Sequence, residues 1–211
     1  MRELPKVQTP YVDRAQQHEA GIMGMHIFLA SEIMLFGGIF MAIAVIRQAH
    51  SQEVVEYSKE LHYYLGAINT MLLLTSSFLV AAAVHMSRHA RRKAVLALLV
   101  SAAFLGLLFL GLKGFEYWSE FQEGRLPVAG GMEKINSAPG RLFLNLYLVS
   151  TSLHAVHLTI GVIALLVVAG RIYTRRSALP QRSVVVETTA AYWHLVDIIW
   201  IFLYPLLYLA R

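Results

Sequence analysis

The sequence predicts an all-α integral membrane bundle of five transmembrane helices, and three observations carry that expectation. Hydrophobic residues make up 57% of the chain and charged residues 15%, against roughly 45–50% and about 25% in soluble domains. Five apolar stretches are each long enough to cross a bilayer. The basic residues gather in the connections between those stretches rather than within them. A soluble fold of 211 residues cannot bury so much apolar surface, so part of the exterior must face lipid.

A crossing helix needs about 20 mostly apolar residues to span a hydrocarbon core of roughly 30 Å. Residues 1–21 are polar and mixed in charge, without an apolar run or small-residue cleavage site, and read as a cytoplasmic tail rather than a cleaved signal. Residues 22–211 form the bundle. Its first span is Ile22–Ile46 and its second Tyr64–Met86. The third, Ala94–Leu112, continues as helix through Trp118, because Gly114 is the one breaker in that stretch. The fourth, Leu142–Gly170, exceeds a perpendicular crossing and should tilt or protrude. The fifth, Thr189–Ala210, contains Pro205 near its end. Between the third and fourth, Ser119–Gly140 holds Gly124, Pro127, Gly130, Gly131, Pro139 and Gly140, and reads as an irregular outer loop. No internal repeat or low-complexity tract is present.

Orientation follows from lysine and arginine. Arg2, Lys6 and Arg14 precede the first span; Arg88, Arg91, Arg92 and Lys93 lie between the second and third; Arg171, Arg175, Arg176 and Arg182 lie between the fourth and fifth. These eleven share one side, against seven over longer connections on the other. The positive-inside rule therefore places the N-terminus in the cytoplasm and the C-terminus in the periplasm. The net charge of +5 is thus a topology signal, and no nucleic-acid partner is expected. The absence of cysteine excludes disulfides, thiolate metal sites and cysteine nucleophiles.

Ionisable groups at membrane depth cost about 2.5–3.5 kcal/mol each even on the mildest scale, so each calls for a reason. The first span has His26 and Glu32, and the third ends in Lys113 and Glu116. The fourth has His154 and His157, and the fifth has His194 and Asp197, with Glu187 just before it. His154 and His157 share a helical face with Gly161 one turn on, while Glu187, Ala191, His194 and Asp197 fall along one stripe extended by Ile201 and Tyr204. Complementary acids and imidazoles suggest cross-helix ties, with His157–Glu187 the favoured pair between the fourth and fifth spans. Glu32 has no basic residue within a helical turn. It reads either as a neutral, hydrogen-bonded carboxyl holding helices together or as a proton-handling or partner-facing group.

Other chemistries fit less well. A bis-histidine haem would use His154 or His157 against His194, but i,i+3 histidines beside carboxylates are better explained as polar ties. A zinc reading of His194 and Asp197 lacks a third ligand. A carrier would show repeats and broken helices. Tyr192, Trp193, Trp200, Tyr204 and Tyr208 read as interfacial anchors and packing groups, with Trp193 and Trp200 sharing a face toward lipid or a partner. Gly37 and Gly38 mark a close helix approach.

Several segments together resemble the haem-copper oxidase subunit III family in its five-helix bacterial form. The stretch Ala191-Tyr192-Trp193-His194-Leu195-Val196-Asp197-Ile198-Ile199-Trp200 is similar to the family's terminal helix, with Glu187 at its glutamate position. Thr151-Ser152-Leu153-His154-Ala155-Val156-His157 resembles the two-histidine helix, although Ser152 and Ala155 stand where glycines are usual. Ser31-Glu32-Ile33-Met34-Leu35-Phe36 resembles the segment of the carbodiimide-reactive glutamate, and Gly114-Phe115-Glu116-Tyr117 a further segment at a helix end. These occur in family order across most of residues 20–211. Longer members carry two additional helices before the segment that begins here.

The resemblance implies a non-catalytic accessory subunit of a proton-pumping cytochrome c oxidase in a bacterial inner membrane. Such a subunit packs on subunit I, alongside subunit II and other respiratory subunits. It supports proton uptake and protects the active site during turnover. Haem and copper are expected in partner subunits, none in this chain; bound phospholipid is a further expectation. Glu32 would handle protons or meet subunit I. His154, His157, Glu187, His194, Asp197 and Glu116 would be structural ties, with no catalytic or metal-ligating residue among them. The alternatives are the matching subunit of a quinol oxidase or of a nitric oxide reductase assembly and, more remotely, a stand-alone haem protein or carrier.

Overall fold

The computed structural model describes residues 14–60, 63–122, 137–174 and 183–208. Among them all regular structure is helical: α1 (Arg14–Ala49), α2 (Ser51–Glu60), α3 (Tyr63–Arg88), α4 (Arg92–Gln122), α5 (Ala138–Tyr173) and α6 (Ser183–Tyr208). Five of these, α1, α3, α4, α5 and α6, are long and apolar enough to cross a membrane, as the composition required.

The helices outrun their apolar stretches. Residues 14–21, expected as tail, are already helical from Arg14; residues 1–13 lie outside the described residues, as do residues 123–136 of the expected outer loop. The third span runs past Trp118 to Gln122, because Lys113, Glu116 and Glu120 recur at helical spacing on one buried face. The last helix begins at Ser183, which brings Glu187 inside it. Helix α2 was not legible as an element. It is ten residues long, buries Val54 completely, and its Ser58 hydroxyl donates to the Leu207 carbonyl at 2.9 Å. That bond satisfies one of the carbonyls orphaned at the end of α6.

Local chemistry sets the helix ends. Ser137 caps α5, accepting from the Gly140 amide at 3.1 Å, and Pro139 sits in the first turn where its missing N–H costs nothing. The α3–α4 turn closes by Ala90 N–H to Ser87 and Arg91 N–H to Met86, both at 3.2 Å. It holds Ala90 at φ 55°, a left-handed conformation that glycine fills more cheaply. At the same end, Arg92 Nε donates to the Ile172 carbonyl at 2.9 Å and a second guanidinium nitrogen to the Tyr173 carbonyl. The arginine thereby caps the C-terminus of α5.

Helix α6 lies at the centre, flanked by α3 and α5, with α4 packed between those two and α1 laid across α5 and α6. In the apolar stretch of α6, 56% of residues are buried; in α1 the figure is 11%. Lipid tails are as apolar as leucine, so close packing and hydrogen bonds must hold such helices together. The indole of Trp193 supplies both. Its ring fits notches at Gly106 of α4 and Gly161 of α5, where an added Cβ would come within 2.7 Å and 3.0 Å of it. Its Nε1 donates to Ser76 of α3 at 3.1 Å. Trp200 repeats the device two turns on, donating to Thr70 at 3.1 Å. Both indoles are buried within the bundle, which corrects the expectation that they face lipid or a partner. Gly37 and Gly38 behave oppositely: among the described residues a Cβ at either would meet nothing within 4 Å, so they receive none of the described helices.

Candidate functional site

A polar assembly lies toward the end of the bundle that carries α2. Lys113, Glu116 and Glu120 follow one face of α4 at intervals of three and four residues, and all three are buried. Lys113 Nζ lies 2.9 Å from Glu116 Oε2 and donates to the Tyr208 hydroxyl of α6. Tyr208 in turn donates to Glu116 Oε1 at 2.7 Å. Tyr147 of α5 stands 3.2 Å from the Tyr208 hydroxyl and donates to Glu120 Oε1 at 3.1 Å. Beside it, Tyr117 donates to Thr151. The ammonium also lies 4.9 Å from the ring centres of both Trp200 and Tyr208, where the ring faces attract a cation. Charges stripped of water are tolerable only in such company, and loss of one partner of a buried pair costs about 3–5 kcal/mol.

A second polar contact joins α1 to α5. His157 Nε2 is 2.8 Å from Glu32 Oε2, and both side chains are nearly buried, at 12% and 13% exposure. His157 Nδ1 lies 2.8 Å from the Leu153 carbonyl. A carbonyl can only accept, so Nδ1 carries a hydrogen. The Nε2–Oε2 contact then holds one more proton, either as a neutral carboxyl donating to imidazole or as carboxylate facing imidazolium. In both forms the pair is neutral overall, which is what membrane depth favours. Phe36 lies edge-on to the imidazole, with ring centres 5.3 Å apart, and Tyr192 donates to the His157 carbonyl at 3.0 Å.

The expected His157–Glu187 tie is therefore replaced by two others. His157 meets Glu32, while Glu187 meets Arg88 of α3 at 3.1 Å in a half-exposed pair near the basic end. The stripe on α6 faces α3 rather than α5, because antiparallel packing sets Ser77 opposite His194. The Ser77 hydroxyl and His194 Nδ1 lie 2.6 Å apart. Asp197, one turn on, is buried. The Ser77 hydroxyl lies close to that carboxyl. His154 is fully buried, and among the described residues neither ring nitrogen has a hydrogen-bond partner; it packs on Trp200 and Phe109, at 5.1 Å and 5.7 Å between ring centres.

The three candidate haem histidines do not converge. His157 faces α1 with both nitrogens engaged, His194 faces α3, and His154 faces the aromatic rings of α4 and α6. Among the described residues no three histidine or acidic side chains cluster as a metal site would require. Residues that sequence reasoning passed over are Glu120, Tyr147, Ser77 and Asn69. The first was detectable as the i+4 neighbour of Glu116; the others carried no signal, since their importance lies in what faces them.

Comparison with known proteins gives concordant results. The family described as cytochrome c oxidase subunit III matches residues 13–210. Cytochrome c oxidase subunit 3 of Thermostichus vulcanus is 31% identical, over 94% of this chain and 92% of the relative. Quinol oxidase subunit 3 of Bacillus subtilis (strain 168) is 29% identical, over 92% and 90%. A heme-copper oxidase subunit I+III of Aeropyrum pernix is 28% identical over 88% of this chain, a match that takes up 22% of that longer protein.

Proposed function

Because this chain belongs to the cytochrome c oxidase subunit III family, we propose that it is the non-catalytic accessory subunit of a haem-copper terminal oxidase in aerobic respiration. Oxygen is reduced to water, and protons pumped, in the neighbouring subunits, which hold the haem and copper. This chain contributes a lipid-embedded bundle that stabilises its neighbour and sustains proton uptake. The complex sits in a bacterial inner membrane. The turn with Arg88, Arg91, Arg92 and Lys93 faces the cytoplasm, and the α2 end faces the periplasm, a placement supported by the basic asymmetry.

One structural observation carries the docking side of this reading: the outer face of α1. Met23, Ile27, Ala30, Met34, Gly37 and Met41 recur at alternating intervals of four and three, the spacing of a helix-packing seam. All are exposed, with Met34 at 79% and Ile27 at 67%. Glu32 projects from the opposite side of the same helix, toward His157 of α5. We assign the outer face to subunit I, in keeping with the relative whose name joins I and III. Helix α1 then stands between the Glu32–His157 pair and the pumping subunit, and the pair anchors the docking helix to the bundle.

The test is purification in mild detergent through a tag on this chain, followed by identification of co-migrating subunits and a visible spectrum. Co-purification of a haem-bearing subunit I with oxygen-consuming activity is expected; migration of the chain alone, or with haem bound to it, would refute the assignment. A quinol oxidase is the second reading, favoured by the Bacillus relative. The donor that the purified complex oxidises, cytochrome c or quinol, separates the two.

A further inference from the structure

His85 and His89 stand four residues apart at the last turn of α3, both exposed, with ring centres 4.7 Å apart. Side chains at that spacing share one helical face. Nδ1 of His89 lies 3.0 Å from the His85 carbonyl. A carbonyl only accepts, so Nδ1 carries the hydrogen and Nε2 keeps its lone pair. Among the described residues the side chain of His85 makes no hydrogen bond, and Nε2 of His89 makes none. Unlike the histidines inside the bundle, which face three different ways, these two imidazoles lie side by side with lone pairs to spare.

We propose that His85 and His89 form a surface site for a divalent late transition metal, zinc or copper(II). Imidazole suits both ions. Two imidazoles on one tetrahedral ion, each bonded at about 2.0–2.1 Å, hold their ring centres about 5 Å apart. The observed 4.7 Å needs little adjustment. Paired histidines four residues apart on a helix bind zinc in metalloproteases through the same spacing. A bond from Nδ1 to a backbone carbonyl is also the usual orienting partner of a metal-bound imidazole, since it fixes the tautomer and raises the basicity of Nε2. Structural zinc sites take four protein ligands. Here the protein supplies two and water completes the shell, so the ion is exchangeable.

The surrounding charges set how readily a dication approaches. Arg88 is paired with Glu187 at 3.1 Å, and Arg92 is committed to the Ile172 and Tyr173 carbonyls. Arg91 and Lys93 remain exposed and weaken the site. In its favour, the two imidazoles sit at the C-terminus of α3, where helix carbonyls present partial negative charge to a cation. A bound ion clamps the last turn of α3. With it are clamped the turn that holds Ala90 at φ 55° and the contact between Arg88 and Glu187. The site does not depend on the oxidase assignment.

Two measurements on the complex, purified through a histidine-free tag on this chain and stripped with chelator, test the site. Diethylpyrocarbonate labelling mapped by mass spectrometry should modify both histidines. Added zinc should then protect His85 and His89 together, while exposed His50 at the other end of the bundle stays reactive. Equilibrium dialysis with zinc should find one ion fewer per chain in the double variant His85→Gln, His89→Gln. Each single variant should bind about 10–100-fold more weakly, no less than loss of an outer-shell partner costs. Failure of either histidine to label without metal, protection of one alone, or unchanged dialysis in the double variant would overturn the proposal. So would protection only at zinc levels that also shield His50, the mark of an adventitious ion only. Should the double variant fail to assemble, labelling of the unmodified complex decides alone. Whether subunit I co-purifies is read separately and bears on the oxidase assignment only.

Discussion

His157 presents Nε2 to Glu32 at 2.8 Å while its Nδ1 is committed to the Leu153 carbonyl at 2.8 Å, so one proton is confined between α1 and α5. The contact ties the least buried helix of the bundle to one of its inner ones.

Glu32→Gln keeps a neutral partner that can still donate to Nε2, and so should preserve assembly and initial oxygen consumption. What should change is the persistence of activity over turnover, together with loss of carbodiimide labelling at this position. Immediate inactivation of a fully assembled complex would show that Glu32 does more than hold a proton. By contrast, His157→Leu leaves the carboxyl alone and should destabilise the α1 contact by about 1–3 kcal/mol, read as a lower melting temperature.

Gly106→Ala should be costly. The new Cβ would lie 2.7 Å from the Trp193 ring and 2.9 Å from Val162, and the indole is pinned by Ser76 and by Gly161 opposite, so overpacking of about 1–3 kcal/mol follows. Gly37→Leu provides the contrast. It meets open space and should leave the thermal stability of the isolated chain unchanged while reducing the yield of complex on tagged purification.

For the buried ion pair, Glu116→Leu alone should lower stability by about 3–5 kcal/mol, because Lys113 is left buried without its partner. Pairing it with Lys113→Met should restore most of that loss. Equal destabilisation by the single and double variants would show that the tyrosines, rather than the charge pair, hold this end together.

Ala90→Gly should stabilise the chain by about 1 kcal/mol, because φ 55° strains an L-residue and suits glycine. Thermal unfolding followed by circular dichroism would register the gain, and no loss of complex should accompany it.

Element type and number were legible because partition into a bilayer is decided locally. Each run of about 20 residues either offsets the cost of dehydrating its backbone or does not, and neither outcome depends on the neighbours. Helix α2 escaped for the same reason in reverse: its ten residues are mostly polar, and only the end of α6 gives Ser58 and Val54 their places. The unusual residues were equally visible. Glu32, His154, His157, Glu187, His194, Asp197 and Glu116 stand out in apolar sequence because membrane depth penalises them one at a time.

Which of those residues meet was decided only by the tertiary structure. His157 and Glu187 are complementary, but complementarity is shared by every acid and base in the chain. Selection came from shape: the Trp193 indole fits between Gly106 of α4 and Gly161 of α5, its bond to Ser76 sets α6 against α3, and the register then sets His194 opposite Ser77 and leaves His157 turned toward α1. Transfer from water to lipid acts on single residues and can be read along a line. Packing between helices in lipid has no such local measure, since it depends on the surfaces of two partners at once.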